Sequence, residues 1–306
     1  MIIVVCPGQG SQTPGFLTPW IEETSSSELL SSLSESAGVD LITHGTTSDA
    51  DTIRDTAIAQ PLIVAAGILT LNALRESGHL AKVDGIAGHS VGEFTAAVGA
   101  GVLHDSDAVA LVALRGRAMA EAADLVPTGM SAIIGGDMTD ILTRLEELSL
   151  SAANYNGGGQ LVVAGQLTAL AALSAEPPAG TRVIALPVAG AFHTTYMSTA
   201  VEALRKAAGS LAIQDPTLAL WTNNDGSRVN SGEQFRDLLV GQVSSPVRWD
   251  LCMESFAAAG VTGIIEVAPA GALVGLAKRA LKGIPTIAIR TPDDLVGARD
   301  LIDSLR

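Results

Sequence analysis

Residues 88–92 read Gly-His-Ser-Val-Gly, a serine set between two glycines directly after a short apolar run and before a helix-competent stretch. That context turns G-x-S-x-G into a nucleophile signal. A sharp strand-to-helix turn leaves no room for side chains at the glycine positions, and it holds Ser90 in a strained conformation with its hydroxyl pointing outward. The following helix aims its first N–H groups at the same point, where a developing oxyanion would be stabilised. The same five residues also suit a plainer role, with Ser90 as a helix N-cap and the glycines as ordinary turn residues.

A nucleophilic serine needs a base, and the chain has five histidines. His89 adjoins Ser90, so its side chain should point away and serve the structure. His44, His79 and His104 lie in polar or Gly-rich stretches and are expected at the surface. His193, in "VAGAFHTTYM", follows an expected strand end and can face a cleft, where a neutral imidazole could accept the serine proton. Its alternative is a hydrogen-bonded histidine beside a helix start.

A third group stands out by its position. Residues 106–123 have helical period with an apolar stripe that includes Ala108, Leu111, Val112, Met119 and Ala122, and Arg115 falls on that stripe. Arg117 lies off it, spaced to pair with Glu121. A buried guanidinium needs either an internal carboxylate, for which Glu93 is a candidate, or a pocket that receives an anionic substrate group bidentately.

The elements that must position these groups are legible in the spacing. Residues 2–6, 83–87 and 263–267 are short aliphatic runs, each followed by a Gly-containing turn and a helical stretch, which is the grammar of a parallel sheet with ligands at its carboxyl edge. The middle of the chain changes rhythm. There "MSAIIGG", "DMTDILTRLEEL", "SAANYN", "QLVVAG", "LTALAALSA" and "TRVIALPV" give the order βαββαβ of a ferredoxin-like unit. The expected fold is therefore α/β: a parallel-sheet, hydrolase-like large subdomain of residues 1–125 and 197–306, with residues 126–196 inserted as the small one. A cleft should form where the two meet.

Composition narrows the function. Hydrophobic residues make up 47% and charged residues 16% of the 306, which excludes a disordered chain. Cys6 and Cys252 are isolated, so neither a disulfide framework nor a metal site is expected, and a reducing cytoplasm fits. No signal peptide is apparent, and no apolar run is read as reaching the roughly 18 residues of a membrane helix. A net charge of −14 argues against nucleic acid or anionic membranes as partners.

With "PGQGSQ" at 7–12, "GHSVGE" at 88–93, "LRGRAM" at 114–119, "GAFH" at 190–193 and "SPVRW" at 245–249, the chain resembles the malonyl-CoA:acyl carrier protein transacylases over nearly its whole length. The resemblance implies a ping-pong transfer of malonyl from malonyl-CoA to the phosphopantetheine thiol of acyl carrier protein, through an ester on Ser90 with His193 as the base. It implies an oxyanion hole from the backbone N–H groups of Gln9 and Val91, a grip on the malonyl carboxylate by Arg115, and the main-chain carbonyl of Gln242 as orienter of His193. Asn156, Gln160 and Met119 would line the cleft, and Phe192 would fill the space that an α-methyl group needs, favouring malonyl over methylmalonyl. The glycines at 8 and 10 would let the first loop approach Ser90. No cofactor is implied beyond the thioester and the carrier's own phosphopantetheine, and a monomer is expected. Fatty-acid and polyketide synthesis both use such a product.

Both substrates are acidic, as is the chain, so docking would need a local basic patch. Arg117, Arg205, Lys206, Arg248, Lys278, Arg279 and Lys282 are the candidates, although the last three also suit the dipole at a helix C-terminus. Two rivals share the residues: a serine hydrolase or thioesterase acting on carboxylate-bearing acyl thioesters, and a non-catalytic subunit that binds the carrier protein.

Overall fold

The computed structural model describes residues 1–306 and contains two sheets. The eleven strands are β1 (Ile2–Cys6), β2 (Gly85–Gly88), β3 (Thr128–Gly135), β4 (Ser151–Gly157), β5 (Gln160–Gln166), β6 (Thr181–Ala185), β7 (Ala219–Trp221), β8 (Arg228–Val229), β9 (Val247–Arg248), β10 (Gly263–Glu266) and β11 (Thr286–Ala288). The twelve helices are α1 (Thr24–Ala37), α2 (Leu41–Thr46), α3 (Thr56–Glu76), α4 (Gly92–Gly99), α5 (Asp105–Asp124), α6 (Met138–Glu147), α7 (Leu167–Ala175), α8 (Ser198–Ala208), α9 (Gly232–Gly241), α10 (Trp249–Ala258), α11 (Ala272–Ala280) and α12 (Asp294–Ser304).

The larger sheet runs β11-β10-β1-β2-β7-β8, parallel except for β8 at one edge. Its central strand explains why. β1 is the unbroken apolar run Ile-Ile-Val-Val-Cys, buried at every position, as a strand covered on both faces requires. Ile2, Val4 and Cys6 join the main core, with Leu62, Ile63 and Leu111 from α3 and α5. Ile3 and Val5 face the other way, into a core built with Phe256, Leu273 and Leu276 from α10 and α11. Helices on both faces follow from the period of two.

The expected strand at 83–87 lies two residues later at its start, at Gly85, and Asp84 closes the amino-terminal end of the β1–β2 ladder: its N–H donates to the Ile2 carbonyl, and its carboxylate accepts from the Ile2 N–H at 2.7 Å. The expectation that no apolar run could span a membrane is also corrected. α3, at 21 residues, is long and apolar enough to do so, yet most of it is buried inside the protein as the central core helix.

The smaller sheet has the order β6-β3-β5-β4, all antiparallel, with α6 and α7 as its two helices. That is the ferredoxin-like arrangement. Its own core gathers Ile133, Ile141, Leu145, Leu161, Val163 and Leu173. A fifth strand was not expected from the sequence: β9, two residues long, pairs in parallel with β4 through Asn154 and Tyr155. It comes from far along the chain, and its Arg248 N–H donates to the carbonyl of Asn223, just past β7 of the larger sheet, at 2.6 Å.

Candidate active site

Three adjacent parallel strands, β10, β1 and β2, end side by side, and the turn after each one contains glycine. Together with residues from β3, β4 and β5, these turns line a cleft of about 570 Å³. The cleft lies where the two sheets meet.

The turn after β2 is as tight as its composition requires. A Cβ on Gly88 would collide with the backbone of Gly92, and a Cβ on Gly92 would collide with the Cys6 carbonyl, so both positions need glycine. Between them Ser90 takes a left-handed φ of 52°. The N-cap reading does not hold: α4 starts after Val91 with no side-chain cap, and the Ser90 hydroxyl points into the cleft. Gly8 lets the first loop press against this turn, since even a methyl group there would sit 3.1 Å from the His89 ring and 3.8 Å from the Ser90 Cβ.

Ser90 Oγ lies 2.6 Å from Nε2 of His193, itself at a left-handed φ of 60°. The opposite nitrogen, Nδ1, is 2.7 Å from the main-chain carbonyl of Gln242. A carbonyl can only accept, so Nδ1 carries the proton and Nε2 is left free to accept from the serine. His193 is 4% exposed; burial, and next the nearby Arg115 guanidinium, hold its pKa down to about 3. The ring is therefore a neutral base at any ordinary pH. The backbone N–H groups of Gln9 and Val91 have no acceptor within the protein, and both residues line the cleft.

Arg115 is 1% exposed, on the buried stripe of α5. It makes no ion pair with Glu93. Instead Nη1 donates to Gln60 Oε1 at 2.7 Å, Nη2 donates to Gln242 Oε1 at 2.8 Å, the group lies 5.8 Å from the Phe94 ring centre, and Nε has no partner. The guanidinium is not itself on the cleft wall; Gln60 and Met119 stand there, with Gln60 Nε2 at 3.5 Å from the Met119 sulfur. Burial lowers the guanidinium pKa and Glu93 opposes the fall. Arginine starts so high that it stays charged. Burial in turn pushes the Glu93 carboxyl up to about 7, against the donors Asn223 N–H and Gln242 amide.

His89, expected to be structural, lines the cleft: Nε2 donates to Asn156 Oδ1 at 2.9 Å, and Asn156 Nδ2 donates to Gln160 Oε1 at 3.0 Å. These bonds engage both ends of the Asn156 amide. The ring also packs edge-on against Trp249. Phe192 lines the cleft too, as does Arg279 of α11. His104 is exposed as expected, but His44 and His79 are half-buried, each hydrogen-bonded to a nearby serine, and they stand away from the cleft. Arg117 does not pair with Glu121; it reaches the Ala37 carbonyl at 3.5 Å, the C-terminus of α1. Arg248 is paired with Asp250 at 2.8 Å and stacked over Tyr155, so its charge is already matched.

Gln60, Asn223 and the side chain of Gln242 were not singled out from the sequence. Gln60 had a signal, as a lone amide in the apolar run "AIAQPLIVAAG". Asn223 had none, since an asparagine in a polar turn is unremarkable by pattern. No group of three or more His, Cys, Asp or Glu could hold a metal ion.

Residues 3–291 match a family described as the acyl transferase domain. The chain is 50% identical over 296 residues to a malonyl CoA-acyl carrier protein transacylase of Mycobacterium tuberculosis, covering 96% of this chain and 98% of the relative. The enzyme of that name from Escherichia coli is 33% identical over 309 residues, covering 97% and 98%. Among solved structures, MCAT from Mycobacterium tuberculosis superposes with a TM-score of 0.95 at 49% identity, covering 98% of this chain and 99% of that one. A malonyl-transacylase in complex with its type II PKS acyl-carrier protein superposes with a TM-score of 0.90 at 30% identity, covering 98% and 99%.

Proposed function

The chain belongs to the acyl transferase domain family, and from that premise we propose that it moves malonyl from malonyl-CoA to the phosphopantetheine thiol of an acyl carrier protein through an ester on Ser90. The observation that carries this reading is the meeting, at one cleft, of a strained serine and a neutral, tautomer-fixed imidazole, with a buried guanidinium behind its wall.

Ser90 Oγ attacks the thioester carbonyl as its proton passes to His193 Nε2. The oxyanion forms against the N–H groups of Gln9 and Val91, each such donor contributing roughly 10²- to 10³-fold. Collapse breaks the carbon–sulfur bond, and the CoA thiolate leaves with the proton from His193. Because burial and Arg115 disfavour imidazolium, that proton is returned readily. The carrier thiol then repeats the sequence in reverse, giving its proton to His193 and leaving it on Ser90. No cofactor enters either half.

Arg115 holds the waiting carboxylate. Two of its five N–H donors are used internally, which leaves donors for an anion that reaches past Gln60. Phe192 restricts the α-carbon side of the cleft. Residues 1–125 with 197–306 supply Ser90, Arg115 and Gln242, while residues 126–196 supply Phe192, His193, Asn156 and Gln160; we read these as the two subdomains.

Intact-protein mass spectrometry after brief exposure to malonyl-CoA tests the reading. A malonyl increment is expected on the wild-type protein and none on Ser90→Ala; no increment on either would reject it in favour of a non-catalytic subunit.

A further inference from the structure

A left-handed residue cannot place its peptide groups in a helix or strand ladder, so the backbone of Ser90 must be held by other means. The Ser90 N–H donates to Asn223 Oδ1 at 2.7 Å. The Ser90 carbonyl accepts from Gln242 Nε2 at 3.1 Å as well as from the Glu93 N–H. Both arms run back to one carboxylate. Glu93 Oε1 accepts from the Asn223 N–H at 2.7 Å, and Glu93 Oε2 accepts from Gln242 Nε2. On its other side, Gln242 Oε1 accepts from Arg115 Nη2. Glu93, Arg115, Asn223 and Gln242 are all at most 3% exposed, so no solvent can substitute for a lost partner.

The polarity of this chain is dictated by its ends. Both Glu93 oxygens accept here and a guanidinium offers only donors, so the amide between them makes both bonds in one orientation alone: nitrogen toward Glu93 and Ser90, oxygen toward Arg115. We propose that Glu93 is a positioning residue that fixes the amide of Gln242, so that one buried carboxylate sets both the peptide of the nucleophile and the guanidinium that receives the acyl carboxylate. This deepens the transfer reading above and rests on it. Gln242 thereby serves the site twice, through its main-chain carbonyl on His193 and through its side chain on Ser90 and Arg115.

The test compares Glu93→Gln with the exchanged pair E93Q/Q242E in steady-state malonyl transfer, with melting temperatures recorded for each. Glu93→Gln sets an NH2 against the Gln242 NH2, so the Gln242 amide turns over and loses both Ser90 and Arg115. The expected result is a kcat about 10- to 100-fold lower and a KM for malonyl-CoA several-fold higher. The exchanged pair restores an acceptor toward Arg115 but no donor toward Ser90. Its KM should return to within about threefold of wild type while kcat stays low, a split that general loosening of the fold would not give. A Glu93→Gln protein with kcat and KM both within about twofold of wild type overturns the proposal, as does a KM that the exchange fails to recover. If Glu93→Gln does not fold, Gln242→Met decides, since it keeps the carbonyl on His193 and removes the amide: the joint loss supports the proposal and wild-type constants overturn it. Wild-type protein that transfers no malonyl would reject the transfer reading itself, whereas an active wild type with a silent Glu93→Gln rejects this inference alone.

Discussion

An imidazole that must take a proton from serine has to be neutral, and His193 is kept so by burial and by Arg115. The shift is downward, so protonation sets in only toward about pH 3 rather than at 6.5. Titrating the His193 ring by NMR should show no protonation between about pH 8 and about pH 5, and a midpoint near the ordinary value would contradict the geometry. Linkage gives a matching sign for stability: the unfolded ring takes up its proton first, so this residue's contribution is present above about 6.5 and is lost as pH falls toward 3. Arg115 supports a separate expectation. Arg115→Ala should lower kcat/KM for malonyl-CoA by about 10²-fold or more, with a much smaller loss for acetyl-CoA, because a charge-assisted contact is removed only from the acid. Equal losses for the two thioesters would show that the guanidinium serves the fold and not the carboxylate. Ser90, His193 and Arg115 were legible in the sequence because each broke a local pattern: a serine in a glycine turn, a histidine after a strand, a charge on an apolar stripe. The two-sided amide of Gln242 was not, since its role depends on partners 127 and 149 positions away.

At the scale of elements, the site depends on how closely β1, the β2 turn and α4 approach. Gly92→Ala should cost about 3 kcal/mol or more, read as a lowered melting temperature, because its methyl group meets the Cys6 and Pro7 carbonyls, which belong to the backbone and cannot rotate away. A substitution at Gly159, where a Cβ meets nothing, carries only the strain of its φ of 76° and is the fitting control. The opposite wall is set by Glu266, a buried carboxylate that accepts from the Leu273 and Val274 N–H groups at 3.0 and 2.9 Å and so ties the start of α11 to the end of β10. Burial raises its pKa, and these same N–H groups resist the rise. The parallel strands and the βαββαβ order followed from period and turn residues. β9 did not: a strand of two residues has no period to read, and only its pairing with Asn154 and Tyr155 defines it.

For the whole molecule, the arrangement is a cleft closed from two sides, with the serine on one sheet's turn and the histidine on the segment returning from the other. The net charge of −14 would repel an acidic carrier at long range, so a local set of cations is what docking would need. Arg279 is on the cleft wall, with Lys278 beside it in the same last turn of α11. What separates a transferase from a hydrolase of the same geometry is the fate of the acyl group on Ser90. The decisive measurement is the discharge of isolated malonyl-enzyme, followed by intact mass with and without phosphopantetheinylated carrier protein. Rapid loss of the malonyl increment from the enzyme is expected with matching gain on the carrier, and slow loss in water alone. Release as free malonate at the same rate whether or not the carrier is present would contradict it.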